Sequence, residues 1–212
     1  AAGVEVDGTN FDFNNTVNLT LGSLDVDATG TVRFNGVVTT QAAAAGLVTI
    51  TNGGVLTITA GGDMNLEGAF LQDGAGTIST AGDITTTNDA ITFTDEVTLT
   101  GAVALNSGAA GGTITFKDLL NGNQTLGLTA GTGNIDFDGV VGGVTPLGAV
   151  TINAAAAVSI DKAFTAASLN QASAGTGTFT LDGLLTAQTG VVTINANAVD
   201  INANILASGA GQ

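Results

Sequence analysis

The sequence predicts an all-β protein built as a parallel β-solenoid, and two observations carry this prediction. The first is a nonapeptide of the form Gly-x-apolar-x-apolar, two turn residues and two apolar residues, which recurs at 30–38, 112–120, 133–141 and 177–185. The copies that begin at Gly112 and Gly133 define one step, and the copy that begins at Gly177 follows after about two more. A fixed period of this length indicates stacked repeats, so we expect coils of about 20–22 residues.

The second observation is the alternation of apolar and polar residues in short segments along almost the whole chain. Successive side chains of a strand point to opposite faces, so the apolar ones would face inward and Thr, Asn, Asp and Ser outward. On this basis we predict strands at 17–21, 24–26, 48–50, 55–58, 91–93, 97–99, 103–105, 114–116, 135–137, 150–152, 158–160, 191–194 and 199–201. The alanine runs at 42–45 and 154–157 are too short to form stable helices alone.

Two further echoes indicate one continuous body. Residues 57–64 return at 77–84, and residues 150–153 return at 192–195. The first interval corresponds to about one coil and the second to about two. No linker interrupts the repeats, so we predict a single domain over residues 1–212.

An antiparallel β-sandwich is the alternative fold. Asn35-Gly36 and Asp138-Gly139 each follow an apolar segment, and such dipeptides are strong signals for two-residue hairpins. However, each dipeptide is followed by two adjacent apolar residues, where a hairpin needs an alternating partner strand. The return of the same local sequence after one coil length also favours the solenoid.

The composition excludes several function classes. The chain carries 18 acidic and three basic residues, a net charge of −15. Nucleic acid is therefore an unfavourable partner, because affinity for it comes from cations that displace counterions from phosphates. No apolar run of about 18 residues is present, so we expect no membrane insertion. His and Cys are absent, which excludes Ser-His-Asp or Cys-His catalysis and thiolate metal sites.

Paired carboxylates are the remaining arrangement with a catalytic precedent. Asp25 and Asp27, like Asp136 and Asp138, are two positions apart and would share one face of a strand. Such a pair can hydrolyse a glycosidic bond when its separation is suitable, so a polysaccharide-acting β-helix enzyme is one alternative. Trp and Tyr, which form sugar platforms, are absent. We therefore expect solvated outward-facing acids and no enzyme activity.

Calcium is the one cofactor that the sequence leaves open. Asp7, Asn10 and Asp12 place three oxygen donors close together, and Ca²⁺ prefers carboxylate and amide oxygens. Neither the β-roll nonapeptide nor the EF-hand spacing is present. Chance in a chain rich in Asp and Asn explains the cluster better, so these residues are weak calcium candidates and we expect no cofactor.

Phenylalanine and Thr-x-Thr pairs both recur along the chain, but only phenylalanine keeps one position of the repeat. Phe34, Phe93, Phe116 and Phe137 each precede the turn residues, so we expect them to form an internal core stack, with Phe116 and Phe137 touching in successive coils. Thr-x-Thr pairs would form an array like those of ice-binding solenoids if they shared one face. Their spacing is not constant, so we interpret them as ordinary outward-facing strand residues. The pairs begin at Thr49, Thr57, Thr85, Thr92 and Thr98.

Four segments of the chain carry a resemblance to a known family. They are residues 90–97 (AITFTDEV), 111–116 (GGTITF), 128–135 (LTAGTGNI) and 142–147 (GGVTPL). With them, residues 89–205, and more loosely the whole chain, resemble the β-strand repeat regions of bacterial surface adhesins of the filamentous-haemagglutinin type. The resemblance implies an exported, right-handed parallel β-helical shaft that serves as a stalk on the cell surface. The secretion-domain signature of such adhesins is not seen here.

We therefore predict a right-handed solenoid in a secreted, structural or adhesive protein of the cell surface, whose copies join end to end as a homopolymeric filament. Ala1-Ala2-Gly3 fits the start of a chain cleaved from a signal peptide, and neither 1–8 nor 207–212 resembles a solenoid cap. One alternative is an excised shaft segment of a large adhesin. Another is a module that binds cell-surface glycans without turnover.

Overall fold

The computed structural model describes residues 3–41 and 46–208, so the alanine run at 42–45 lies outside the described residues. Within them the chain forms 27 strands, numbered β1 to β27 in chain order, and no helix. The strands pair in parallel. The solenoid prediction is confirmed and the antiparallel sandwich is wrong.

The strands form three sheets that run along the solenoid. The first sheet contains β1 (Val4–Gly8), β4 (Leu24–Ala28), β7 (Val48–Asn52), β10 (Phe70–Gln72), β13 (Ile91–Phe93), β16 (Ile114–Phe116), β19 (Ile135–Phe137), β21 (Val158–Ile160), β23 (Thr178–Leu181) and β26 (Ala198–Ile201). The second sheet contains β2 (Phe11–Phe13), β5 (Val32–Phe34), β8 (Leu56–Ile58), β11 (Ile78–Thr80), β14 (Val97–Leu99) and β17 (Leu120–Asn121). The third sheet contains β3 (Val17–Leu19), β6 (Val38–Thr40), β9 (Met64–Leu66), β12 (Ile84–Thr86), β15 (Val103–Asn106), β18 (Leu126–Thr129), β20 (Leu147–Ala154), β22 (Phe164–Gln171), β24 (Leu185–Ala187), β25 (Val192–Thr193) and β27 (Ile205–Ala207).

The register of the first sheet gives the number of residues in each coil. Val4 pairs with Leu24, Leu24 with Val48, and Ile114 with Ile135, so the coils differ in length within the usual range of solenoid repeats. The step from Leu24 to Val48 is the longest of these and contains the alanine run at 42–45. The first sheet has ten strands among the described residues, and a rise of about 4.8 Å per coil makes a body about 50 Å long. The right hand of the coil stays a prediction.

The predicted phenylalanine stack forms with three of its four members. The ring centroids of Phe116 and Phe137 lie 5.5 Å apart with 3° between the planes, and those of Phe93 and Phe116 lie 5.4 Å apart with 9°. Phe34 is buried as expected, but its place in this stack was wrong. It lies in β5 of the second sheet and stacks on Phe13 at 4.6 Å. The same local motif occurs in different sheets of the solenoid. The motif alone therefore does not predict to which sheet a strand belongs.

The glycines of the repeated turn pairs allow successive corners to approach closely. A Cβ on Gly36 would lie 2.4 Å from the carbonyl carbon of Asn15, and one on Gly139 would lie 2.1 Å from the Asp118 carbonyl oxygen. A Cβ on Gly183 would lie 2.0 Å from the Lys162 carbonyl oxygen. Any side chain at these positions would clash with the coil before it. The Asn-Gly and Asp-Gly pairs thus form stacked solenoid corners and not hairpins.

The second and third sheets join in the C-terminal part of the body. Val141 bridges Leu120 of β17 to Phe164 of β22. Strand β22 then pairs with β24 through its first half and with β25 through its second half. Because β20 and β22 each run for eight residues, one wide sheet replaces two narrow ones there.

Candidate functional site

The N-terminal edge of the solenoid, formed by β1, β2 and β3, has an open side. Val4 N donates to Ser23 O at 2.8 Å, Phe11 N to Thr31 O at 2.9 Å and Val17 N to Val37 O at 2.9 Å. Backbone groups of a strand point alternately to its two sides, so those of Glu5 point away from β4. No described strand pairs with this side. Among the described residues, the backbone donors and acceptors on this side of the edge therefore have no partner.

The C-terminal edge, formed by β26 and β27, mirrors this arrangement. Ala198 N donates to Gly177 O at 3.3 Å, so the backbone groups of Val199 point to the open side. Apolar side chains that earlier coils bury lose their cover here. Val199 is 51% and Ile205 38% exposed, whereas Phe179, the partner of Val199 one coil earlier, is fully buried.

The three calcium candidates do not share a sheet. Asp7 lies exposed in β1 of the first sheet, and Asp12 lies exposed in β2 of the second sheet. Asn10 lies at the corner between them, where its Oδ1 accepts hydrogen bonds from Thr31 N at 2.8 Å and from Thr31 Oγ1 at 3.0 Å. This amide oxygen thus joins two coils. The expectation of no cofactor stays a prediction.

Both carboxylate pairs point outward from the first sheet, as their spacing predicts. Partial burial raises the pKa of Asp136, and the negative charges of Asp138 and Asp161 raise it further. Asp138, Asp161 and Asp182 follow the strands β19, β21 and β23 at equivalent positions, forming an acidic column along one corner. Asn202 Nδ2 ends the column by donating to Asp182 Oδ1 at 2.8 Å.

The Thr-x-Thr pairs are distributed over all three sheets, with Thr49 on the first, Thr57 on the second and Thr85 on the third. The third sheet instead carries a row of stacked outward side chains in which Asn and Thr alternate over seven coils, the Asn/Thr column. The sequence did not predict it. Its members are Asn18, Thr39, Asn65, Thr85, Asn106, Thr129 and Asn153. The unequal coil lengths conceal this alternation in the sequence.

Over residues 3–41 and 46–208 no enclosed pocket is present, and no three acidic side chains are grouped so that they could hold a metal ion. The same residues include no helix long and apolar enough to cross a membrane. Comparison of the chain with protein-family models, with curated proteins and with solved structures found no match.

Proposed function

We propose that this chain is a structural, adhesive protein of the cell surface, whose solenoid bodies join end to end into a filament outside the cell. The extracellular setting rests on the resemblance of the sequence to adhesin shafts. The assembly rests on the two open edges. A second copy is the partner whose edge continues the same strand pattern.

Continuing the register of the first sheet supports this junction. It places β1 of one copy on β26 of the next, with Val4 over Val199 and Val6 over Ile201, so each apolar column continues. The open backbone groups of Val199 then meet those of Glu5, as in strand addition to a sheet edge. Such head-to-tail contacts do not close on themselves, so they generate open filaments.

Substitution of Val199 by Lys tests the junction. A charged side chain at the end of the apolar column has to be desolvated when a second copy stacks on it, and lysine is a common blocker of strand edges. Val55→Lys is the matched control, because Val55 is an exposed apolar residue at the corner between β7 and β8, away from both edges. Both variants change the net charge equally.

Static light scattering over a concentration series is the measurement. The wild-type chain and Val55→Lys should grow into long species as the concentration rises, whereas Val199→Lys should keep a small, constant mass of one or two chains. Wild-type protein that stays monomeric at high concentration would contradict end-to-end assembly. That outcome would favour the alternative of a shaft segment whose edges meet further coils of a longer chain.

A glycan-binding module without turnover is the second candidate, and the Asn/Thr column of the third sheet favours it. Its aligned amides and hydroxyls can donate to and accept from sugar hydroxyls. A panel of plant, algal and bacterial polysaccharides separates the possibilities. We expect no turnover, and saturable binding that Thr129→Ala and Asn153→Ala weaken would support this second candidate. Turnover abolished by Asp136→Asn or Asp138→Asn would show that the chain is an enzyme.

A further inference from the structure

Charge is absent from one side of the C-terminal part of the solenoid. Residues 97–208 contain eight charged side chains, and all of them lie on the first sheet or directly after one of its strands. They are Lys117, Asp118, Asp136, Asp138, Asp161, Lys162, Asp182 and Asp200. The outward positions of β18, β20, β22, β24 and β25 therefore carry no charge, and we call them the charge-free surface.

The charge-free surface is broad and made of small side chains. The sheets join there, and β20 and β22 extend its width to eight residues. Small outward side chains allow another sheet to approach to about 10 Å, the usual distance between packed sheets. The outward residues are mostly Gly, Ala, Ser, Thr and Asn, among them Gly127, Thr129, Thr151, Asn153 and Asn170.

One exposed apolar side chain, Val144, borders this surface. Val144 is 77% exposed at the tip of the loop that leaves the sheet after Val141. Asn121 Oδ1 holds this loop by accepting from Val144 N at 3.1 Å and from Thr145 N at 3.2 Å. The loop turns back so that a Cβ on Gly143 would lie 2.8 Å from Val140 Cγ1. An apolar side chain is thus fixed in solvent beside an uncharged sheet.

We infer that the charge-free surface and Val144 bind a second copy of this chain side by side. With a net charge of −15, two copies that approach through the first sheet or its acidic column bring carboxylates together, which is unfavourable. The charge-free surface avoids this repulsion. A second copy also presents strands with the same spacing of about 4.8 Å, so its side chains can interdigitate regularly with these over several coils.

Placing one carboxylate on each copy tests the inference. Thr151→Asp puts a charge at an outward position of β20 between Gly127 and Asn170. Thr92→Asp is the matched control, because it adds the same charge at an outward position of β13, between Leu71 and Thr115 on the first sheet. Both should be measured in the Val199→Lys background, which removes end-to-end growth, after circular dichroism has shown unchanged melting.

Sedimentation equilibrium should show dimers of the Val199→Lys chain. We expect Thr151→Asp to raise the dissociation constant at least tenfold and Thr92→Asp to change it less than threefold. Val144→Ser should also weaken the dimer, whereas Leu21→Ser, at an exposed leucine on another loop, should not. Equal effects of test and control variants, a monomer at millimolar concentration, or glycan binding to this surface in place of a dimer would overturn the inference.

The two modes of association remain distinguishable in the electron microscope. If only end-to-end growth fails, the wild-type chain should form pairs about 50 Å long, the length of one body. If only side-by-side pairing fails, it should form filaments one solenoid wide, and this outcome would overturn the inference.

Discussion

Residues 3–96 and residues 97–208 build the same solenoid with different corners and different outer surfaces. Up to residue 96 the sequence has 12 acidic residues and one arginine, a net charge of −11, and they lie on the first and second sheets and at the corners beside all three. The remainder has six acidic residues and two lysines, a net charge of −4, confined to the first sheet and its corner. Stacking constrains the inward positions, and the outward ones vary freely between regions.

The corner after the first sheet also differs between the regions. Eight positions separate Leu24 from Val32, but only six separate Ile114 from Leu120. In the wide corners after β7 and β10, the buried side-chain amide of Asn52 forms hydrogen bonds with backbone carbonyl groups of the additional residues. Asn52 Nδ2 donates to Gly54 O at 2.6 Å and to Gly76 O at 2.9 Å. Polar side chains therefore lie inside the core at the wide corners that follow β7 and β10, whereas Phe93, Phe116 and Phe137 of the stack lie directly before narrow corners.

The largest effect on stability should come from the phenylalanine stack. Phe116→Ala removes a buried ring with neighbours on both sides and should lower the free energy of unfolding by about 3–5 kcal/mol. Phe13→Ala should cost less, because Phe13 is only partly buried in the first coil and has a stacked ring, that of Phe34, on one side only. Urea denaturation followed by circular dichroism measures both. Equal losses would show that the two regions are packed alike.

The next largest effect on stability should be a difference between substitutions of two buried glutamines, Gln72 and Gln171. Gln72 Nε2 donates to Asn52 Oδ1 at 2.9 Å and its Oε1 accepts from Thr94 N at 3.1 Å. Gln72→Leu leaves these partners unpaired and should cost about 2–4 kcal/mol. Gln171 Oε1 is buried without a partner among the described residues.

Gln171→Leu is therefore the control from the C-terminal region. Removing a buried oxygen that has no hydrogen bond should leave the stability unchanged or raise it slightly. Thermal melts of both variants check the contrast. A loss after Gln171→Leu as large as that after Gln72→Leu would contradict this account of the two glutamines.

The smallest effect should come from Asp136, where burial and then the charges of Asp138 and Asp161 raise the pKa above its ordinary value of 3.8. Because the folded chain holds this proton more tightly than the unfolded chain, stability falls as the pH rises from the ordinary pKa through the folded one. Above that window ionised Asp136 opposes folding.

Asp136→Asn should accordingly stabilise the chain at pH 7 by no more than about 1 kcal/mol, the range of cross-strand charge pairs. At pH 3 the difference should disappear. Asp200→Asn is the matched control, since Asp200 is an exposed outward acid on the same sheet. A stabilisation at pH 7 that persists at pH 3 would show that charge is not the cause.

The strands could be predicted because the alternation of apolar and polar residues is local. The sheet of each strand could not, since Asn35-Gly36 and Asp138-Gly139 form corners between different pairs of sheets. The apparent single step from 57–64 to 77–84 also hides a shift. The structure pairs Thr57 with Ser79 and Met64 with Ile84, so only the second half keeps this step.

The open edges were expected from the sequence, but the charge-free surface was not. Its signal is present as long uncharged segments, such as 119–135 and 139–160. These segments predict a surface only when the register between strands is known, because the register shows that their outward residues share one side of the body. The sequence alone could not assign these residues to one side, because the coils differ in length. Each change in the number of residues between paired strands shifts the outward positions away from any fixed period.

Electron microscopy of the purified chain tests the central claim, that these bodies join end to end, most directly. The account predicts uniform fibres whose axial repeat is about 50 Å, the length of ten coils at about 4.8 Å each. Val199→Lys should abolish the fibres and Val55→Lys should preserve them. A field of separate particles, each no longer than one solenoid body at every protein concentration, would contradict the claim.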